Sequence, residues 1–354
     1  MSSASRPQAP AWKPFDEGGR SYLRVALPDA DQSRPGFAIA QPLAGRYRID
    51  ELRSAGEEAA LILAWDQRTS RPVAIKALRS DAAPPPGVEG PEGWAGWVRR
   101  QRHGLQTERR LLVRLRNAGC RVVPHPIDYA YDRCPAREGV GLDESQVDAE
   151  PYLVLELIPG RSLEELIATE FPGGMPEAEA LRLILPIVRT LEVLHEPWRP
   201  RGGRMWHCVY QDLKPANILV DPQGQPRLLD FGGCQVVIDG VPVLEGSRTP
   251  GYAPPECEGP ARVLLPCADV YGIGSTLYHM LSGIDPRDRL ARHRGRPGEH
   301  LDPRALPPGI SAGLRQLLVR CLAPRPSDRI ADARQVATAL APLLARTRDL
   351  TDPP

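Results

Sequence analysis

The sequence predicts an α+β chain in two parts: a small antiparallel sheet carrying one helix, then a larger, mainly helical body. Three observations predict it. Short strand-like runs fill the front, helical periodicity dominates the back, and the character changes at Pro159-Gly160. Residues 47–52, 60–64 and 72–77 read as strands, punctuated by Gly56 and by Thr69-Ser70-Arg71-Pro72 as antiparallel turns are. Residues 82–93, rich in Pro and Gly, read as a loop. Residues 94–117 place Leu105, Leu111, Leu112 and Leu115 at helical spacing. Residues 122–131 and 152–157 read as two further strands around a loop or insertion at 132–150. Behind the boundary, 210–230 is strand-loop-strand material. Residues 177–195, 267–282, 310–323 and 331–344 read as helices. Residues 1–45, rich in Pro, Ser and Ala, read as a largely flexible extension with one short alternating run at 22–27.

Composition removes several classes of function. The chain has 354 residues and a net charge of +1, so nothing overall draws it to nucleic acid or to an anionic membrane. Gly and Pro together make up about a fifth of it, against a usual eighth or so, which predicts many loops. No apolar run is long enough to cross a bilayer, and no apolar signal segment opens the sequence. The seven cysteines form no Cys-x-x-Cys pair, which argues against zinc and disulfides and fits a cytoplasmic location. Of the 45 basic residues only Lys13, Lys76 and Lys214 are lysines. Lysine and arginine are not interchangeable, so two of these positions draw attention by the company they keep.

Three patches carry chemistry. Val73-Ala74-Ile75-Lys76 is a strand ending in an ammonium. Asp212-Leu213-Lys214-Pro215-Ala216-Asn217 packs an acid, an ammonium and an amide into turn-like backbone. Leu229-Asp230-Phe231-Gly232-Gly233 puts an acid at a strand end before flexible glycines. Carboxylate and amide oxygens are hard ligands suited to Mg2+, and ammonium groups hold phosphate oxygens. These are parts for phosphoryl transfer, where positioning and charge neutralisation supply most of the catalysis.

With these motifs in this order, residues 46–345 resemble the eukaryotic-type (Hanks-type) serine/threonine protein kinases of bacteria. The resemblance implies a bilobal kinase-like fold, with an N-lobe at 46–158, a C-lobe at 159–345 and a tail at 346–354. It implies ATP and Mg2+ (or Mn2+) as cofactors, protein substrates, a regulatory protein partner, and γ-phosphoryl transfer to Ser or Thr, self-modification included. Lys76 takes the place of the lysine on the α/β-phosphates, with Glu108 as its ion-pair partner. Asp212 takes the place of the catalytic-loop acid, and Lys214 that of the lysine beside the transferring phosphoryl group. Asn217 and Asp230 match the Mg2+ ligands. Leu155 is the gatekeeper, Glu156 and Ile158 offer hinge backbone to adenine, and Leu61, Ala74 and Leu219 sandwich its ring. Thr249 would bridge to Asp212 and Lys214, Glu256 would pair with Arg329, and Asp269 would brace the catalytic loop.

The pattern departs from the family in two places. The three glycines of the phosphate-covering loop fall on Ser54, Gly56 and Ala59, so only Gly56 survives, and Glu57 and Glu58 add negative charge. The catalytic loop reads Tyr210-Gln211-Asp212, without the arginine that meets a phosphorylated activation loop in the family. Ser247, Thr249 and Tyr252 are the only hydroxyls between Asp230 and Glu256. The resemblance therefore implies an activity independent of activation-loop phosphate. The degraded loop supports an alternative, a pseudokinase serving as nucleotide-binding scaffold or allosteric regulator. A small-molecule phosphotransferase is opposed by Glu256 and Arg329. Two arginine-rich runs, 99–116 and 287–296, read as solvated surface.

Overall fold

The computed structural model describes residues 12–25, 27, 36–56, 58–82, 86–137, 147, 149–199, 203–239, 241–244, 248–257, 264–292 and 301–351. Glu57, Ser247 and the end of the second arginine run lie outside them. The chain divides into two compact units: 1–113 with 125–157, and 114–124 with 158–354.

The described residues of the first unit hold two sheets. Strands β1 (Lys13–Glu17), β2 (Arg20–Val25) and β3 (Phe37–Ala40) form an antiparallel sheet in that order. The second sheet contains β4 (Tyr47–Ala55), β5 (Ala59–Asp66), β6 (Arg71–Leu78), β7 (Pro126–Asp132) and β8 (Glu150–Glu156), ordered β4-β5-β6-β8-β7. The sheets share one core: Tyr22, Val25, Phe37 and Ile39 pack with Ile49, Ile62, Ile75 and Val154. The expectation of a largely flexible extension at 1–45 is corrected for these residues. Alternation puts the apolar set of β5 and β6 on the face that β2 and β3 cover, so the front strands complete a core that one sheet would leave wet. Asp132 ties them down, pairing with Arg20 at 2.7 Å and accepting the Ala44 N–H at 2.6 Å.

Helix α1 (Gly90–Asn117) begins earlier than the periodicity predicts. Trp97 and Val98 pack with Ala82 to bury its first turns. Several arginines of the first basic run are engaged. Arg102 pairs with buried Glu150, Arg109 lies over the Tyr129 ring, and in the second unit Arg114 lies 4.3 Å from the Trp198 ring centroid. Aromatic faces hold guanidinium groups by their quadrupole.

The second unit contains α2 (Leu163–Glu170), α3 (Glu177–His195), α4 (Cys267–Ser282), α5 (Pro286–Arg292), α6 (Ala312–Cys321) and α7 (Ala333–Thr351). Helix α2 escaped the periodicity reading because it is short, yet it carries a legible start: the Ser162 hydroxyl accepts the Glu165 N–H at 3.1 Å. Helix α4 is the centre of the unit, with residues 267–281 all buried. A Cβ on Gly274 would come within 2.9 Å of Cys321 Cβ, so glycine there lets the helix approach α6. The described residues of this unit also form two three-stranded sheets. One joins β9 (Arg161–Ser162), β11 (Ile218–Val220) and β12 (Pro226–Leu228); the other joins β10 (Trp206–Val209), β13 (Gln235–Ile238) and β14 (Val241–Leu244). No helix among the described residues is long and apolar enough to cross a membrane.

Candidate active site

In the first unit the five-stranded sheet positions a lysine. Leu61 stands opposite Lys76 on β5 and β6, and Ala74 stands opposite Leu155 on β6 and β8. Strand alternation therefore puts Leu61, Ala74, Lys76 and Leu155 on one face, the face turned away from the first sheet. Lys76 Nζ lies 2.9 Å from Glu108 Oε2, whose side chain is 3% exposed. Glu108 is buried by the same α1 face that buries Leu105, Leu111, Leu112 and Leu115. Glu156 ends β8; its N–H donates to His125 O at 2.9 Å, and its carboxylate accepts the His125 N–H at 3.1 Å. Gly56 closes the β4–β5 turn, its N–H donating to Ala59 O at 2.8 Å. A Cβ there would meet only Ala59 O, at 3.6 Å, and its φ is not left-handed. This position does not require glycine's conformational freedom.

In the second unit three polar side chains, Lys214 and Asn217 of the turn after β10 and the more distant Thr249, gather around the Asp212 carboxylate. Asp212 Oδ1 accepts the Thr249 hydroxyl at 2.6 Å. Asp212 Oδ2 accepts Lys214 Nζ at 2.8 Å and Asn217 Nδ2 at 3.1 Å. Lys214 Nζ also donates to Thr249 Oγ1 at 2.6 Å. Asn217 Nδ2 donates to the Asp212 carbonyl at 2.8 Å as well, which leaves its Oδ1 as the acceptor end. Asp230, exposed at the end of the β12 turn, sits in the left-handed region at φ 53° and ψ 75°. Such backbone persists only where its surroundings over-determine it. Ile158 is buried just past β8, and Leu219 is half-buried on β11, between Ser162 and Arg227.

The turn is held from below. Asp269, 1% exposed on α4, accepts the Tyr210 N–H and the Gln211 N–H, both at 2.7 Å. It also accepts His195 Nε2 at 2.8 Å. Gln211 is left-handed at φ 69°, a strained state for a residue with a Cβ, and these bonds hold it. The Tyr210 ring packs edge-on to Phe231, and its hydroxyl donates to Leu229 O. Burial pushes the Tyr210 phenol well above its usual range and keeps it a donor. Sequence reasoning missed His195, a lone histidine at a helix end whose partner lies 74 residues away.

Downstream, Arg329 grips Glu256 with two parallel bonds, 2.7 Å and 3.1 Å, and donates further to the Cys267 and Ala323 carbonyls. Bidentate pairs of this kind fix geometry. Gly251 lies at φ 90°, and a Cβ there would reach 2.8 Å from Arg287 N. The Tyr252 hydroxyl bonds His279 Nδ1 at 2.7 Å. Burial lowers the His279 pKa, which favours the neutral ring.

A protein kinase domain family model matches residues 131–340. The chain belongs to the protein kinase family. Its relatives include the serine/threonine-protein kinase PknB of Mycobacterium leprae, 26% identical over 310 residues, covering 84% of this chain and 43% of the relative. The serine/threonine-protein kinase PknA of Mycobacterium tuberculosis (strain H37Rv) is 28% identical over 322 residues, covering 88% of this chain and 64% of the relative. The chain spans about half the length of the curated relatives it matches. A solved structure titled "PpkA-294 apo form" superposes with a TM-score of 0.55 at 21% identity, covering 83% of this chain and 96% of that one. That likeness shows the kinase fold alone.

Protein kinases use ATP and Mg2+. The donors here fit that metal: the Asp230 carboxylate and the Asn217 amide oxygen are hard ligands, and Mg2+ ordinarily takes one or two protein groups with phosphate and water completing its shell.

Proposed function

We propose that this kinase domain, spanning 46–345, transfers the γ-phosphoryl group of ATP to Ser or Thr hydroxyls of protein substrates, itself included. The observation that carries the reading is the Asp212 carboxylate, oriented at once by Lys214, Asn217 and Thr249. Asp212 accepts the proton of the attacking hydroxyl as the new P–O bond forms and the bond to ADP breaks. Lys214 offsets charge on the transferring group. In the first unit, Lys76 takes α/β-phosphate oxygens, with Glu108 keeping its ammonium in place. Leu61, Ala74 and Leu155 offer apolar contact to adenine, and Ile158, Leu219 and the Glu156 backbone keep the adenine-facing roles that the resemblance implies. Asn217 and Asp230 would hold Mg2+, whose bound charge neutralises phosphate oxygens. The activity needs no activation-loop phosphate, because Gln211 stands where the family has the arginine that would grip it. A regulatory protein partner and a cytoplasmic location are further parts of this reading.

The test is label transfer from γ-labelled ATP with Mg2+ and a basic acceptor protein. Label on acceptor or chain, abolished by Asp212→Asn and by Asp230→Asn, is the expected result. ATP bound without transfer would instead mark a nucleotide-binding scaffold.

A further inference from the structure

Arg79 lies one residue past the end of β6, outside every motif that carries the kinase resemblance. Its side chain is 1% exposed, a position arginine rarely takes unless paired. The guanidinium divides its donors. Nε and Nη2 go to Asp81 at 3.1 Å and 2.9 Å, and that carboxylate is itself fully buried. Nη1 donates to the Gly56 carbonyl at 2.9 Å. The Arg79 backbone N–H donates to the Glu58 carbonyl at 2.8 Å. The turn that replaces a glycine-rich loop is thus closed on itself by Gly56 and Ala59, and bolted at two points to the strand that carries Lys76.

We propose that Arg79, held by Asp81, is the positioning residue for nucleotide phosphates in this chain, fixing the β4–β5 turn where the family relies on glycines. The inference rests on the reading that the chain binds ATP. A glycine-rich loop approaches phosphate closely but is loose, and ordering it on binding costs entropy. A turn ordered in advance from beneath avoids much of that cost. This accounts for the turn keeping only one of three glycines, and for a buried ion pair that is expensive to desolvate. Only arginine serves: its planar fork spans Asp81 and Gly56 together, which the point charge of lysine does not. Arg79 touches no reacting atom in this scheme; it acts through the turn.

The test compares two ligands. Dissociation constants of ATP with Mg2+ and of adenosine are measured calorimetrically on the full chain for wild type, Arg79→Lys and Asp81→Asn, with melting curves alongside. Adenosine lacks the phosphates, so a turn that acts on phosphates leaves its affinity alone. The expected result is ATP binding weakened about ten-fold in both variants, adenosine within about two-fold of wild type, through the lost pre-ordering. Unchanged ATP affinity in a folded variant would overturn the proposal. So would equal losses for ATP and adenosine, the mark of a merely structural pair. If Arg79→Lys fails to fold, Asp81→Asn, which keeps the side chain's shape, carries the comparison. Wild type binding neither ligand would refute the ATP reading itself and this inference with it; wild type binding both, with variants alike, would overturn the Arg79 role alone.

Discussion

Replacing Asp269 by Asn changes one oxygen of a buried carboxylate to an NH2 and leaves its shape. Asp269 Oδ2 serves the Tyr210 N–H and His195 Nε2, while Oδ1 serves the Gln211 N–H alone. An asparagine oxygen placed at the Oδ2 position keeps two donors and turns its NH2 against the Gln211 N–H. One charge-assisted hydrogen bond is lost, about 1.5–3 kcal/mol, and a buried donor is left unsatisfied, so the total comes to about 3 kcal/mol. For a unit of this size each kcal/mol lowers the melting midpoint by about 2–4 °C, giving a fall of about 6–12 °C. Gln211, held left-handed by that bond, then relaxes and carries Asp212 with it. A shift of about 1 Å in a catalytic group costs about a hundred-fold in rate. Thermal unfolding and steady-state phosphate transfer read both effects, with KM for ATP little changed because Lys76 and Glu108 are untouched. A midpoint within about 2 °C of wild type together with unchanged kcat would refute the bracing argument.

Three further outcomes are expected. Phe37→Ala, at a site 1% exposed in the shared core, should cost about 3–5 kcal/mol in chemical denaturation; no loss would mean that β3 is not part of that core. Arg46, then Thr69 and Arg68, hold the Asp66 carboxyl well below its usual range. A folded pKa below the unfolded one contributes stability above about pH 4 that disappears as pH falls further. The stability gap between wild type and Asp66→Asn should therefore narrow from pH 5 to pH 2, and a gap independent of pH would contradict the pairing. Burial pushes the Cys321 thiol up to about 12 and the Cys134 and Cys257 thiols up to about 11. Iodoacetamide at about pH 8 should therefore reach only Cys120, the one cysteine not buried, and that slowly. Modification of Cys257 in the folded protein, read by mass spectrometry, would contradict this.

The second unit's site was legible because its chemistry is compressed into contiguous residues. Asp212, Lys214 and Asn217 lie within one turn, and their types alone imply phosphate and metal. Glu108 was legible because it stands where the resemblance puts the partner of Lys76, on the helix that follows that strand. What stayed hidden depends on long-range contact. The buried face of Phe37 and Ile39 exists only because β5 and β6 present theirs to it, and four-residue β3 carries too little alternation to announce a strand. His195 meets Asp269 across 74 residues. Arg79 and Asp81 look like surface charges in a loop, since nothing local says that the β4–β5 turn will close over them. At Gly56 the backbone itself has no need of glycine, so its φ adds nothing to the phosphate-facing role that the resemblance implies.

The central claim is that Asp212 acts in phosphoryl transfer and not in nucleotide binding. Single-turnover transfer from γ-labelled ATP by Asp212→Asn, beside a direct ATP dissociation constant for the same protein, separates the two. The expected result is a transfer rate lowered by at least about a hundred-fold, the lower range for loss of a positioned general base, with ATP affinity within about two-fold of wild type. Transfer at the wild-type rate, or a loss explained wholly by weaker ATP binding, would contradict the role given to Asp212.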